Sequence, residues 1–155
     1  MAGKASPIPP GFNTISVHLF VRGAAQAIEF YQKAFGAEVK GAMPGPGGKI
    51  MHAEIKIGDS TIMLADEFPE MGALSPAAIG GSPVVVHIYV NDADALWNRA
   101  VAAGAKITMP IADMFWGDRY GKLEDPFGHR WSIATHMEDL TGEEIAARHA
   151  KLFGG

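Results

Sequence analysis

Apolar and polar residues alternate over residues 13–21. Ile15, Val17, Leu19 and Val21 fall on one side, and Thr14, Ser16, His18 and Phe20 on the other, which is the period of a strand. The period then changes. Ala24, Ala27, Ile28 and Tyr31 recur at helical spacing, which predicts a helix over 24–35 stopped by Gly36. Strand pattern returns at 38–43, and residues 44–48 (Pro-Gly-Pro-Gly-Gly) form a turn. Residues 49–57 alternate again, with Met51, Ala53, Ile55 and Ile57 against Ile50, His52, Glu54 and Lys56. Gly58-Asp59 predicts a hairpin into a last strand over 60–65.

The same order then repeats. Ser16-Val17-His18-Leu19-Phe20-Val21 has its counterpart in Val85-Val86-His87-Ile88-Tyr89-Val90, so His18 and His87 are equivalent. A strand over 83–90 precedes a helix over 92–103. Asn91 is its expected cap, Asp94 complements its N-terminus and Gly104 is its stop. Strands are expected at 106–109, 120–124 and 130–136, with residues 114–120 as an aromatic loop and 125–129 as a turn. Residues 1–12, with three prolines, read as an extended arm, and 66–82 as an aperiodic connection. Thr141 with Glu144 three later is a capping box for a tail helix over 141–152. Repetition at this length predicts a duplicated strand–helix–three-strand unit with a pseudo-twofold site.

The expected fold class is therefore α+β. Residues 1–155 make one domain of two βαβββ modules, 13–66 and 83–138, with a linker at 67–82 and a terminal helix at 141–152. Each helix covers the sheet face carrying Ile15, Val17 and Leu19, or Val84, Val86, Ile88 and Val90. The opposite faces are left polar and aromatic, and two such curved sheets facing one another enclose a cup.

Composition narrows the chemistry. Apolar residues are 48% of the 155, enough for a core, and 13 basic against 17 acidic residues leave a net charge of −4. A mildly acidic chain without a basic cluster has no electrostatic footprint for nucleic acid. With no cysteine, disulfides, thiolate metal sites and thiol nucleophiles are excluded. No apolar run is long enough to span a bilayer and the first residues do not read as a signal peptide, so a cytoplasmic location is expected.

Several residues carry candidate chemistry. Arg119 follows Phe115 and Trp116 and reads either as an anion or aromatic clamp with a tryptophan wall, or as a structural partner of Asp118, Glu124 or Asp125. Phe115 and Trp116 would form a costly exposed patch, which motivates their burial with the proline arm in a dimer interface. His129 reads as a turn residue and His149 as solvated; residues 45–48 lack the lysine of a phosphate loop.

Three segments resemble a known family. They are residues 27–37 (AIEFYQKAFGA), 52–59 (HAEIKIGD), and 116–121 (WGDRYG) followed by 125–131 (DPFGHRW). Over about Phe12 to Glu138 the chain resembles the vicinal oxygen chelate superfamily of glyoxalase I, bleomycin and fosfomycin resistance proteins and extradiol dioxygenases, most closely its PhnB-like branch. The resemblance implies a homodimer, a small-molecule ligand, and metal ligands on the first and fourth strands of each module. Those positions fall here on Ser16, Met63, Val85 and Ser132, none a strong ligand for a divalent ion. No metal and no other cofactor is expected there. A displaced divalent site on His18, His87 and Glu54 is the alternative, and the same three residues are the candidate catalytic groups.

The expected ligand site takes Ser16, His18, Phe20, His52, Glu54 and Met63 from the first module. The second supplies Val85, His87, Tyr89, Trp116, Arg119 and His136. The expected function is small-molecule binding, extending to a glyoxalase-type lyase or isomerase if the protein is an enzyme. The competing reading is a non-enzymatic protein that sequesters an antibiotic. Expected partners are the small molecule and a second copy of the chain, with no nucleic acid and no membrane.

Overall fold

The computed structural model describes residues 3–154. The chain divides into two compact units, Met1–Gly81 and Ser82–Gly155. Each unit is built on a four-stranded mixed sheet, and the fold is α+β.

In the first unit the elements are β1 (Val17–Val21), α1 (Ala24–Phe35), β2 (Glu38–Pro44), β3 (Ile50–Ile57) and β4 (Ser60–Asp66), with sheet order β1-β4-β3-β2. β1 and β4 run parallel, the other pairs antiparallel. Leu19, Val21, Ala53, Ile55, Ile62 and Leu64 are buried against Ala27, Ile28, Tyr31 and Phe35 of α1. That alternation assigns the opposite face to His18, Phe20, His52, Glu54 and Met63. α1 ends on Gly36 at φ 67°, where the Gly36 N–H donates to the Gln32 carbonyl at 3.1 Å and the Ala37 N–H to the Tyr31 carbonyl at 3.2 Å. Its N-terminus starts at Gly23, which has no side chain to cap with. Asp66 substitutes: Oδ1 accepts from the Gly23 and Ala24 amides at 3.0 and 2.9 Å, and Oδ2 from Ile50 at 2.7 Å.

The connection over 66–82 is more ordered than its composition implies. It holds a 3₁₀ turn at Pro69–Met71 and a short helix α2 (Pro76–Ile79) capped by Ser75. Glu67 ties it down. Its carboxylate accepts from Arg22 Nε at 2.6 Å, from the Ser75 amide at 3.2 Å and from the Ser75 hydroxyl.

The second unit contains β5 (Val85–Tyr89), α3 (Ala93–Ala103), β6 (Lys106–Asp113), β7 (Asp118–Glu124), β8 (Arg130–His136) and α4 (Gly142–Phe153), with sheet order β5-β8-β7-β6. Trp131, Ile133 and Leu123 are buried beside Trp97 and Ala100 of α3. Gly121 is required here. A Cβ at this position would lie 2.5 Å from Trp97 Cζ3 and 2.9 Å from the Ile111 Cα.

Four sequence expectations are corrected. The cap of α3 is Asp92, whose Oδ1 accepts from Ala95, not Asn91. β6 runs on to Asp113 and β7 begins at Asp118, shortening the aromatic loop. Ile15 and Val84 precede their strands and are 86% and 62% exposed, so neither lies under a helix. Phe115 and Trp116 have partners within the chain. Phe115 meets His149 and Phe153 of α4 at ring distances of 5.3 and 6.1 Å, and Trp116 meets Tyr120 at 5.2 Å. Thr141 caps α4 through the Glu144 amide at 3.2 Å.

Candidate functional site

The sheet face that α1 leaves uncovered is organised in rows across the strands. His18 on β1 lies beside Met63 on β4, Met63 beside Glu54 on β3, and Glu54 beside Gly41 on β2. The His18 ring packs on Phe20 at 4.6 Å and meets the edge of His52 at 6.0 Å. His52 Nε2 approaches Glu54 Oε1 at 3.4 Å. These two, with Gly41, Ala42 and Met43, line a cleft of about 330 Å³. Partial burial, reinforced by His52, lowers the His18 pKa and favours the neutral ring. A neutral imidazole and a half-exposed carboxylate on one face can exchange protons with a ligand.

The second unit repeats the row with different residues. His87 on β5 lies beside Ser132 on β8, Ser132 beside Lys122 on β7, and Lys122 beside Met109 on β6. His87 Nδ1 and Ser132 Oγ are 2.6 Å apart, and Ser132 is buried. The His87 ring stacks on Tyr120 at 5.7 Å and meets the edge of Tyr89 at 4.4 Å. Burial pushes the His87 pKa down, against the opposing pull of Asp118.

Asp118 is the hub of this face. Its carboxylate accepts from Tyr89 Oη at 2.8 Å, from Trp116 Nε1 at 3.1 Å and from His136 Nδ1 at 2.7 Å. Burial works against its charge, but the bonds from His136, Tyr89 and Trp116 outweigh it and hold the carboxyl below its ordinary range. His136 is bridged to Asp139 by its other nitrogen at 2.7 Å; the bonds to Asp118 and Asp139 raise its pKa. Asp118 likewise raises the Tyr89 pKa. Tyr89 and His136, with Val90, Asn91 and Thr135, line an open cleft of about 580 Å³.

The candidate site residues therefore separate. His18, Phe20, His52, Glu54 and Met63 share the open face of the first sheet, and Val85, His87, Tyr89 and His136 that of the second, with Trp116 joined to it through Asp118. Ser16 precedes β1, bonded to the Asn13 carbonyl. Arg119 lies on the opposite side of β7. Because side chains alternate along a strand, Asp118, Tyr120 and Lys122 face one way, and Arg119, Gly121 and Leu123 turn toward α3. There Arg119 bonds Asp94 twice and Asp113 once, so it is not part of the open face. Asp118, Tyr120 and Lys122 are open-face residues missing from the expected set. The buried Leu123 was the signal, since counting back from it by twos puts Arg119 under the helix.

The positions that the family resemblance makes metal ligands do not fit a metal. Met63 pairs with His18 rather than with Ser16, and Ser132 with His87 rather than with Val85. The Ser132 hydroxyl is engaged by His87, and Val85 has no donor atom. Among the described residues no three His, Asp or Glu side chains form a group that could hold a metal ion.

Two βαβββ units, each with one polar, aromatic sheet face, define the class of α+β protein to which the chain belongs. Residues 12–133 match the family model described as "Glyoxalase/Bleomycin resistance protein/Dioxygenase superfamily", and the chain belongs to that family. It is 45% identical over 136 residues to the uncharacterized protein Rv0887c of Mycobacterium tuberculosis, covering 86% of this chain and 80% of that one. Among solved structures it is similar to TioX from Micromonospora sp. ML1, with a TM-score of 0.63 and 26% identity over 83% of this chain and all of that one (100%). It is also similar to the Arabidopsis thaliana At5g48480 gene product, with a TM-score of 0.64 and 29% identity over 79% and 98%. Proteins of this family commonly bind small molecules and form dimers. No helix among the described residues is long and apolar enough to cross a membrane.

Proposed function

We propose that this chain is a cytoplasmic, homodimeric small-molecule-binding protein of the PhnB-like branch, whose ligand lies on the open sheet faces. The whole chain acts as one domain of two modules, with 67–82 as linker. The observation that carries the reading is the pair of equivalent rows, His18–Met63–Glu54 and His87–Ser132–Lys122, on faces their own helices leave uncovered. On the second face the buried carboxylate is fully engaged by Tyr89, Trp116 and His136, which suits holding a ligand rather than transferring protons. Sequestration, as in bleomycin-resistance proteins, follows from that character.

The second reading is a glyoxalase-type lyase or isomerase, favoured by the approach of His52 to Glu54 on the first face. There Glu54 would take a proton from the ligand, and His18 or His52 would return one. The experiment is native mass spectrometry of protein purified without a histidine tag. A co-purifying organic mass supports binding, and its turnover on incubation supports the enzyme. A bound divalent ion would contradict the metal-free reading.

A further inference from the structure

Several charged residues share the open face of the second sheet, and Lys122 is the one in register with Ser132. Glu124 sits in register between Lys106 and Arg130, on the strands to either side. Asp118 is bonded to His136, which is in turn bonded to Asp139 beyond the strand end. Lys122 has no ion-pair or hydrogen-bond partner among the described residues. It is two residues from Tyr120 on the same face, and Tyr120 stacks on His87. The 2.6 Å contact with Ser132 leans the His87 ring from β5 over β8, toward the strand that carries Lys122. With Nδ1 engaged by Ser132, the His87 Nε2 is the ring nitrogen left for a ligand.

We infer that this face recognises a planar aromatic carboxylate, with Lys122 holding its charge, Tyr120 and Tyr89 flanking its ring, and Ser132 positioning His87 beside it. The inference rests on the small-molecule reading above and adds to it the ligand class, Tyr120 and the role of each residue. Arg119 plays no part, being turned to α3 and engaged by Asp94. In the first unit the equivalent row holds Glu54 where the second holds Lys122, and Met63, which cannot orient a histidine in this way, where it holds Ser132. The two units therefore differ in what they attract.

The test is calorimetric titration with three probes of one shape: 2-naphthoate, 2-naphthamide and 2-naphthylmethylammonium. The expected result is naphthoate tighter than the amide by about ten- to hundredfold, the scale of a charge-assisted contact. Lys122→Gln should bring naphthoate down to the amide's affinity, and Arg119→Gln should leave it unchanged. Ser132→Ala should alter the ¹⁵N tautomer signature of His87. Lys122 is a surface side chain, so its variant reports even if Ser132→Ala fails to fold. Equal binding of the three probes, or an unchanged Lys122→Gln affinity, overturns the inference and leaves the broader reading standing. Binding of none of them, together with a native mass spectrum free of organic ligand, overturns both.

Discussion

The Arg119 guanidinium closes a fork on Asp94, Nε to Oδ2 at 2.8 Å and Nη2 to Oδ1 at 2.9 Å, and so ties β7 to the first turn of α3. A two-point contact of this kind holds an element in place more than it adds free energy, because both side chains remain partly in water. Arg119→Ala should lower the melting temperature slightly and leave ligand affinity at the wild-type value. A variant of unchanged stability that had lost its ligand would return Arg119 to the binding face.

Asp66 should matter more. Its carboxylate is buried and satisfies three amides at once, two at the start of α1 and one at the start of β3. Asp66→Ala leaves those donors unpaired and should cost about 1–3 kcal/mol, read from the denaturant midpoint. Asp66→Asn retains an acceptor oxygen and should recover part of the loss.

Steric room at Gly121 is testable in the same way. Gly121→Ala forces its new carbon into Trp97 and the Ile111 backbone and should destabilise by about 1–3 kcal/mol. A paired Trp97→Phe change should make the alanine less costly, giving a favourable coupling in a double-mutant cycle.

Acid stability should depend on Glu67. Bonds from the Ser75 hydroxyl and from Arg22 depress its pKa to about 2, from 4.5. A depressed carboxylate stabilises the folded state above its unfolded pKa, and that contribution is lost as pH falls from 4.5 through about 2. Glu67→Gln should be less stable near neutrality, with a flatter loss of stability across that acid window. Urea unfolding at a series of pH values reads the slope.

Local signals in the chain located α1 to the residue, because an apolar 3.6-residue period ends on a glycine that must adopt positive φ. Alternation in β1 and β3 likewise separated His18, His52 and Glu54 from the core. What was not legible depends on distant partners. The order of residues 66–82 comes from Glu67 meeting Arg22, 45 positions away, and the helix start of α1 from Asp66, 43 positions from Gly23. Arg119 was misplaced because β7 begins two residues earlier than its aromatic, glycine-containing approach suggested, and in a strand the face of every side chain follows from its count.

The claim that ligands occupy the open faces is tested most directly by mapping chemical shifts of the ¹⁵N-labelled protein during titration with 2-naphthoate. Shifts are expected at His87, Tyr120, Lys122 and Ser132, with the helix-facing Leu123 and Ile133 and the α3 residue Trp97 unmoved. Shifts centred on α3 and Arg119, with His87 and Lys122 silent, would contradict it.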